Sequence, residues 1–365
     1  MSLTRFLLAW RTIPLRDREV IDALVDPAHA GPSPELAQAL ESWRGSYYWS
    51  AEPDGRHLVL THPAAPRPRE RWVLHALLFA ATLFTTTLGG AVLSGAVSMD
   101  LALSVRDWGA LVLNGWSRGL SFSLPLLAIL LCHELGHYLT ALRYHLDVSP
   151  PYFIPGPPVP VGIGTFGAFI RLRTLLTDRR QLLDVGAAGP FAGFLIALPV
   201  LWIGLALSRP ADVGVQGMTV WLGDGQQWQL GDSIVTLVLR RLVLGNAPGV
   251  VLHPAAVAGW FGMFVTALNL LPMAQLDGGH VLYAALPRRH EWFGRGFWAA
   301  IMLLGAFFWR GWLVWGTLVL VLSRGRLGHP PVLDVYRPLP PSRRRLAWAS
   351  LVLFLATFTP MGIGP

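Results

Sequence analysis

The chain has 365 residues, of which 53% are hydrophobic and only 14% charged, and its mean hydropathy is +0.47. A water-soluble domain of this length could not cover its surface with so few charges, so the composition marks an integral membrane protein. The formal charge of +8 comes from 29 basic residues, every one an arginine. They lie mainly between apolar runs, where they report topology rather than a nucleic-acid footprint, and a single cysteine, Cys132, excludes an internal disulfide.

Residues 1–71 mix charge, proline and aromatic residues without a long apolar run. They read as a short soluble N-terminal segment, with RHLVLTHP (56–63) as a candidate strand. The run FLLAW is too short for the apolar core of an export signal. Arg67, Arg69 and Arg71 precede an apolar run from Trp72 to about Val97 that is long enough to span a bilayer, and they place the N-terminus on the cytoplasmic side. The sparsely charged loop 98–118 then lies outside, and a second span from about Gly119 to Tyr144 returns inward.

That second span contains LLAILLCHELGHYL (126–139). On a helix His133 and His137 stand one above the other, with Glu134 beside them. Two imidazoles at this spacing supply two corners of a tetrahedral zinc site, and the adjacent carboxylate can take a proton from metal-bound water. Polar side chains in hydrocarbon are expensive, so three in one apolar run mark a functional site rather than a solvated helix face. Cys132 points about 100° away from His133 and reads as a small apolar side chain.

The stretch SPPYFIPGPPVPVGIGTFGAFIRLR (149–173) cannot be helical, because its prolines forbid it, while Gly162, Gly164 and Gly167 suit tight turns or close backbone approach. Residues 168–173 read as a short strand. Two readings stand here: a proline-rich connector, or a hairpin re-entering near the metal whose open edge could hold an unfolded substrate by strand addition. Arg143, Arg171, Arg173, Arg179 and Arg180 put the flanks on the cytoplasmic face.

A third span, about Val185 to Leu207, begins GAAGPFAGF, small residues that let helices approach closely. Residues 208–251 are expected outside, with an interfacial helix near 232–244 whose Arg240 and Arg241 run against the charge rule. A fourth span, about Pro254 to Leu271, leads into NLLPMAQLDGGH (269–280). Asp277 there is either a turn residue or the missing third metal ligand, since it returns to the side that carries the histidines. An apolar stretch from Phe297 to Leu322 breaks at Arg310–Gly311. The arginine balance favours a tight pair of helices there, and a last run, 346–358, crosses once more. The expected fold is an all-α polytopic membrane protein of about six to seven transmembrane helices, with a small re-entrant β-hairpin. Residues 1–71 form its cytoplasmic segment and 72–365 its membrane domain, the core being 119–286.

With both constellations in view, HELGH (133–137) and LDGG (276–279, preceded by Asn269 and Pro272), the chain resembles the site-2 protease family of intramembrane zinc metalloproteases. DVSPPYFIPG, GTFGAFIRLR and AAGPFAGF extend the likeness to the PDZ-less bacterial, cyanobacterial and plastid branch that includes the plant ethylene-dependent gravitropism-deficient and yellow-green proteins. The resemblance implies one zinc ion held by His133, His137 and Asp277, with Glu134 as general base. It implies that Asn269 holds substrate or oxyanion, and that Gly164, Thr165, Phe166, Gly167, Ala168 and Phe169 belong to a substrate-binding hairpin. His280 is expected as a neighbour of the site or an interfacial histidine rather than a ligand. The expected function is hydrolysis of peptide bonds in or near transmembrane segments of membrane protein substrates, in a bacterial inner membrane, with the site opening to the cytoplasm. An ion or solute transporter and an inactive membrane-protein-binding scaffold are the alternatives.

Overall fold

The long apolar runs become helices and the mixed N-terminal stretch becomes a sheet. The computed structural model describes residues 3–15, 18–31, 33–43, 45–63, 70–96, 108–157, 163–173, 176, 178–211, 216–221, 227–330, 332 and 338–364. Arg67, Arg69, Gly162 and residues 98–107 of the loop expected over 98–118 lie outside them, while 108–118 belong to the helix that starts at Trp108. The chain divides into two units: Met1–Glu70 with Ala141–Ser149 and Arg171–Thr177, and Arg71–Thr140 with Pro150–Ile170 and Asp178–Pro365.

In the first unit, β1 (Leu7–Pro14), β2 (Arg18–Val25), β3 (Ser46–Glu52) and β4 (Gly55–Pro63) form an antiparallel sheet in the order β1-β2-β4-β3. The candidate strand over 56–63 is β4, and the Pro53-Asp54-Gly55 turn closes the β3–β4 hairpin. Helix α1 (Pro34–Glu41) starts where the Ser33 hydroxyl caps Leu36 N–H and Pro34 presets the first turn. Its Leu36, Ala39 and Leu40 pack with Phe6, Val25, Leu58 and Leu60 into a small core. The segment is thus a folded sheet-and-helix module. Three of its strands escaped the reading because LLAWRTIP, REVIDALV and SYYWSAE lack clean two-residue alternation.

The second unit holds α2 (Trp72–Leu93), most of α3 (Trp108–Arg143), the hairpin β5 (Tyr152–Pro155) and β6 (Thr165–Phe169), and α4 (Arg179–Ala206). Beyond them come β7 (Arg209–Pro210), β8 (Gly217–Trp221), β9 (Gln227–Leu230), α5 (Ile234–Leu244), β10 (Gly249–Val251), α6 (Pro254–Asn269) and α7 (Asp277–Ala285). The unit ends with α8 (His290–Phe307), α9 (Gly311–Leu322), α10 (Pro341–Thr357) and β11 (Ile363–Gly364). Trp72–Leu93, Gly115–Arg143 and Arg179–Ala206 are long and apolar enough to cross a bilayer. The expected fourth span is shorter: α6 has 16 residues, a rise of about 24 Å against a hydrocarbon core of about 30 Å.

An all-α description with one hairpin does not cover this unit. Residues 209–251 supply four strands of a five-stranded sheet, β11-β9-β8-β10-β7, with α5 between β9 and β10 in the chain. Its strands have two to five residues, and β11 joins from the far end of the chain to pair with β9. Such non-local pairing leaves no local pattern to read. Of the two arginines on α5, Arg240 pairs with Asp232 at 2.9 Å. The Arg310 break separates two helices packed antiparallel, with the Trp298 indole N–H donating to Gly316 C=O and Gly305 abutting Leu313.

Candidate metal centre

Helix α3 carries His133, Glu134 and His137 as consecutive polar positions of one face, and all three are buried. Asp277 is the first residue of α7, which starts after Pro272 has ended the preceding turn of chain. The two helices bring three ligand atoms together: His133 Nε2 and His137 Nε2 are 3.1 Å apart, and Asp277 Oδ2 lies 3.4 Å from the first and 3.3 Å from the second.

The triangle fits a metal ion by its size and by its chemistry. A tetrahedral zinc ion with bonds of about 2.0–2.1 Å sets its ligand atoms about 3.3 Å apart. The His137 Nδ1–H donates to Val185 C=O at 2.7 Å, which leaves the Nε2 lone pair facing the triangle. Two ring nitrogens and a carboxylate oxygen converging on one point want a cation between them. Among the described residues this is the one group of three or more His, Cys, Asp or Glu side chains arranged to hold one.

Helix α4 supports the ligands from behind, through the small residues that the sequence marked for packing. A Cβ on Gly189 would overlap the His137 ring, one on Gly193 would press on His133, and one on Gly186 on His280. Gly136 of α3 meets the α4 backbone at Ala188 in the same way. The motif GAAGPFAGF therefore seats the imidazoles as well as packing helices. That role is not readable from small-residue spacing, which looks the same at any helix crossing.

The remaining expected residues divide. Asn269, the last residue of α6, places its side-chain amide 3.1 Å from His133 Nε2, at the rim of the triangle. The hairpin forms with Tyr152 opposite Phe169 and Ile154 opposite Gly167. Gly164, at φ +88°, sits so close to α2 that a Cβ would overlap Thr85, whose hydroxyl lies 2.6 Å from Gly164 C=O. Thr165 is turned inward, its hydroxyl donating to Ile154 C=O and accepting from Gly167 N–H, while Phe166 and Phe169 are exposed. Past the end of β6, the Ile170 backbone N–H donates to the Glu134 carboxylate. Ile170 and the Val185 carbonyl were missed because a backbone group leaves no side-chain signature. His280 is not one of the three converging residues, and its Nδ1 lies 2.8 Å from His329 Nε2.

Residues 121–309, more than half of the chain, match the model of peptidase family M50. The chain belongs to that family. It is 32% identical over 242 residues to the probable zinc metalloprotease EGY1, chloroplastic, of Arabidopsis thaliana, covering 64% of this chain and 42% of the relative. The protein of the same name from Oryza sativa subsp. japonica is 31% identical over 321 residues, 83% of this chain and 53% of its own. The probable zinc metalloprotease EGY2, chloroplastic, of Arabidopsis thaliana is 29% identical over 243 residues, 65% of this chain and 41% of its own. The chain thus spans about half the length of the curated relatives it matches. No solved structure matches it.

Proposed function

We propose that this M50 member is an intramembrane zinc metalloprotease that hydrolyses peptide bonds in or near transmembrane segments of membrane protein substrates. The observation that carries the reading is the triangle of 3.1–3.4 Å between His133 Nε2, His137 Nε2 and Asp277 Oδ2. The relatives named as zinc metalloproteases support it.

In this reading His133, His137 and Asp277 hold one zinc ion. When bound, zinc acidifies a water molecule and polarises the scissile carbonyl. Glu134, buried beside the triangle, takes the proton from that water and returns it to the leaving amine. The Ile170 N–H holds the Glu134 carboxylate in place between the two transfers. Asn269 presents its amide to the substrate carbonyl oxygen as negative charge develops there. A helical substrate has its carbonyls occupied and covered, so the bond must first be unwound. Residues 164–169 receive the unwound strand along the open edge of β6, with Phe166 and Phe169 exposed for its side chains.

The reading extends to topology. The arginine clusters support an N-terminal cytoplasmic segment, 1–71, and a membrane domain, 72–365, whose site opens to the cytoplasm of a bacterium. Counting α6, the α8–α9 pair and α10 with the three long helices makes seven crossings.

Metal analysis of the purified protein by mass spectrometry is the deciding test. Near-stoichiometric zinc in wild type, lost in both His137→Ala and Asp277→Ala, is the expected result. Folded wild type without zinc, or zinc unaffected by Asp277→Ala, overturns the reading.

A further inference from the structure

A groove of about 300 Å³ runs between α7 and α10, and its lining includes none of His133, Glu134, His137 and Asp277. Gly278, Leu282 and Leu286 form one wall, Trp348 and Leu351 the other, and Arg344 stands at the end where α10 begins. Apart from Arg344 the lining carries one polar side chain, Ser350, whose hydroxyl is already committed to Leu346 C=O at 2.9 Å. The groove therefore offers its occupant an apolar trough and a single cation at one end.

The arginines at this helix start are not equivalent. Arg343 is held by Asp184 of α4, with Nε at 3.1 and 3.2 Å from the two carboxylate oxygens and Nη2 at 2.8 Å from Oδ2. Its charge is neutralised there. Arg344, one residue on, is exposed and has no carboxylate partner among the described residues. An apolar trough in a bilayer protein, ended by a guanidinium with no carboxylate partner among the described residues, matches a molecule with a hydrocarbon body and an anionic head. A transmembrane helix of a substrate would supply the apolar body but no anionic group for Arg344.

We propose that this groove is a binding site for one anionic phospholipid, with an acyl chain along Leu282, Leu286 and Leu351 and the phosphate on Arg344. The site is separate from the metal centre and stands whether or not the chain is a protease.

The test is native mass spectrometry of the full-length protein offered equal amounts of phosphatidylglycerol and phosphatidylcholine with the same acyl chains. Wild type is expected to retain one phosphatidylglycerol with a preference of about fivefold, the effect of one arginine near an anionic head group. Arg344→Gln should bring the two lipids level. Arg345→Gln, next to it but outside the groove, should leave the preference intact. Ala347→Trp, which fills the trough, should lose the retained lipid of either kind. A circular-dichroism spectrum and a gel-filtration profile equal to wild type show that each variant is folded, independently of zinc. Equal retention by wild type, an unchanged preference in Arg344→Gln, or retention by Ala347→Trp overturns the proposal. So does displacement of the lipid by an equal amount of a single-span apolar peptide, which would make the groove a seat for protein substrate.

Discussion

Among the described residues two clusters combine histidine with aspartate, one in each unit, and they are built to opposite ends. In the N-terminal sheet each ring nitrogen of His57 meets its own carboxylate, Nδ1 with Asp22 at 2.8 Å and Nε2 with Asp54 at 3.1 Å, and Arg11 completes Asp22 from the other side. Both ring nitrogens there already face a carboxylate. In the membrane unit the nitrogens of His133 and His137 face each other and share one carboxylate oxygen, while the outer N–H of His137 is already given to Val185. That arrangement leaves lone pairs pointing at one another and is completed by a cation. The composition of a cluster is therefore a poor guide to its role. The direction of its lone pairs is a good one.

The sharpest way to break this comparison is to change Glu134, the base of the proposed function, without touching His133, His137 or Asp277. Glu134→Gln should lower cleavage of a transmembrane substrate by about 10²–10⁴-fold, the span of a lost general acid–base group, while zinc content stays at the wild-type level. Cleavage within a few-fold of wild type would separate the metal from the chemistry. Asn269→Ala comes next, with a fall in kcat of about 10²-fold at constant zinc, as for a lost oxyanion donor. A change confined to KM would reassign Asn269 to ground-state binding.

Gly189→Ala tests whether α4 seats the ligand or only packs against it. As a helix-interior change it should stabilise the helix by about 1 kcal/mol. Instead the new methyl group overlaps the His137 ring, and zinc affinity should fall by about 10- to 100-fold, as for other disturbed supports of a ligand. Competition with a chelator of known affinity reads this directly. Unchanged affinity would mean that α4 can shift aside without cost.

The smallest effect belongs to the other cluster. Burial pulls His57 down, but the hydrogen bond and charge of Asp22, and then those of Asp54, raise it above the usual histidine range. Burial pushes Asp22 up, and the hydrogen bonds from His57 and Arg11 outweigh it, so its carboxyl is held below the usual range. The His57 contribution is therefore fully present below about pH 6.5 and is lost as pH rises through the raised value. The Asp22 contribution is present above about pH 4 and is lost as pH falls through the lowered value. Hydrogen exchange of the β2 and β4 amides, corrected for its intrinsic pH dependence, should be slowest between about pH 4 and 6.5, and His57→Gln should flatten the alkaline side. Zinc content should not change in that variant.

Much of this protein was decided within short windows of sequence. The crossing helices follow from apolar runs about 20 residues long, because hydrocarbon requires every backbone group to be bonded within its own segment. The His133–Glu134–His137 face follows from the helical repeat alone. The local window left Asp277 open between a turn residue and a third ligand, and the tertiary structure brings its Oδ2 within 3.4 Å of both imidazoles. What the tertiary structure alone decided is everything that depends on chain segments far apart in sequence. The five-stranded sheet joins residues 209–251 to 363–364. The Val185 carbonyl sets which nitrogen of His137 faces inward, and the Ile170 N–H holds Glu134. Gly189 and Gly193 clear the space that the imidazoles fill. Periodicity records which face of an element is buried, whereas backbone partners and excluded volume belong to the neighbour that covers that face, and no local window contains the neighbour.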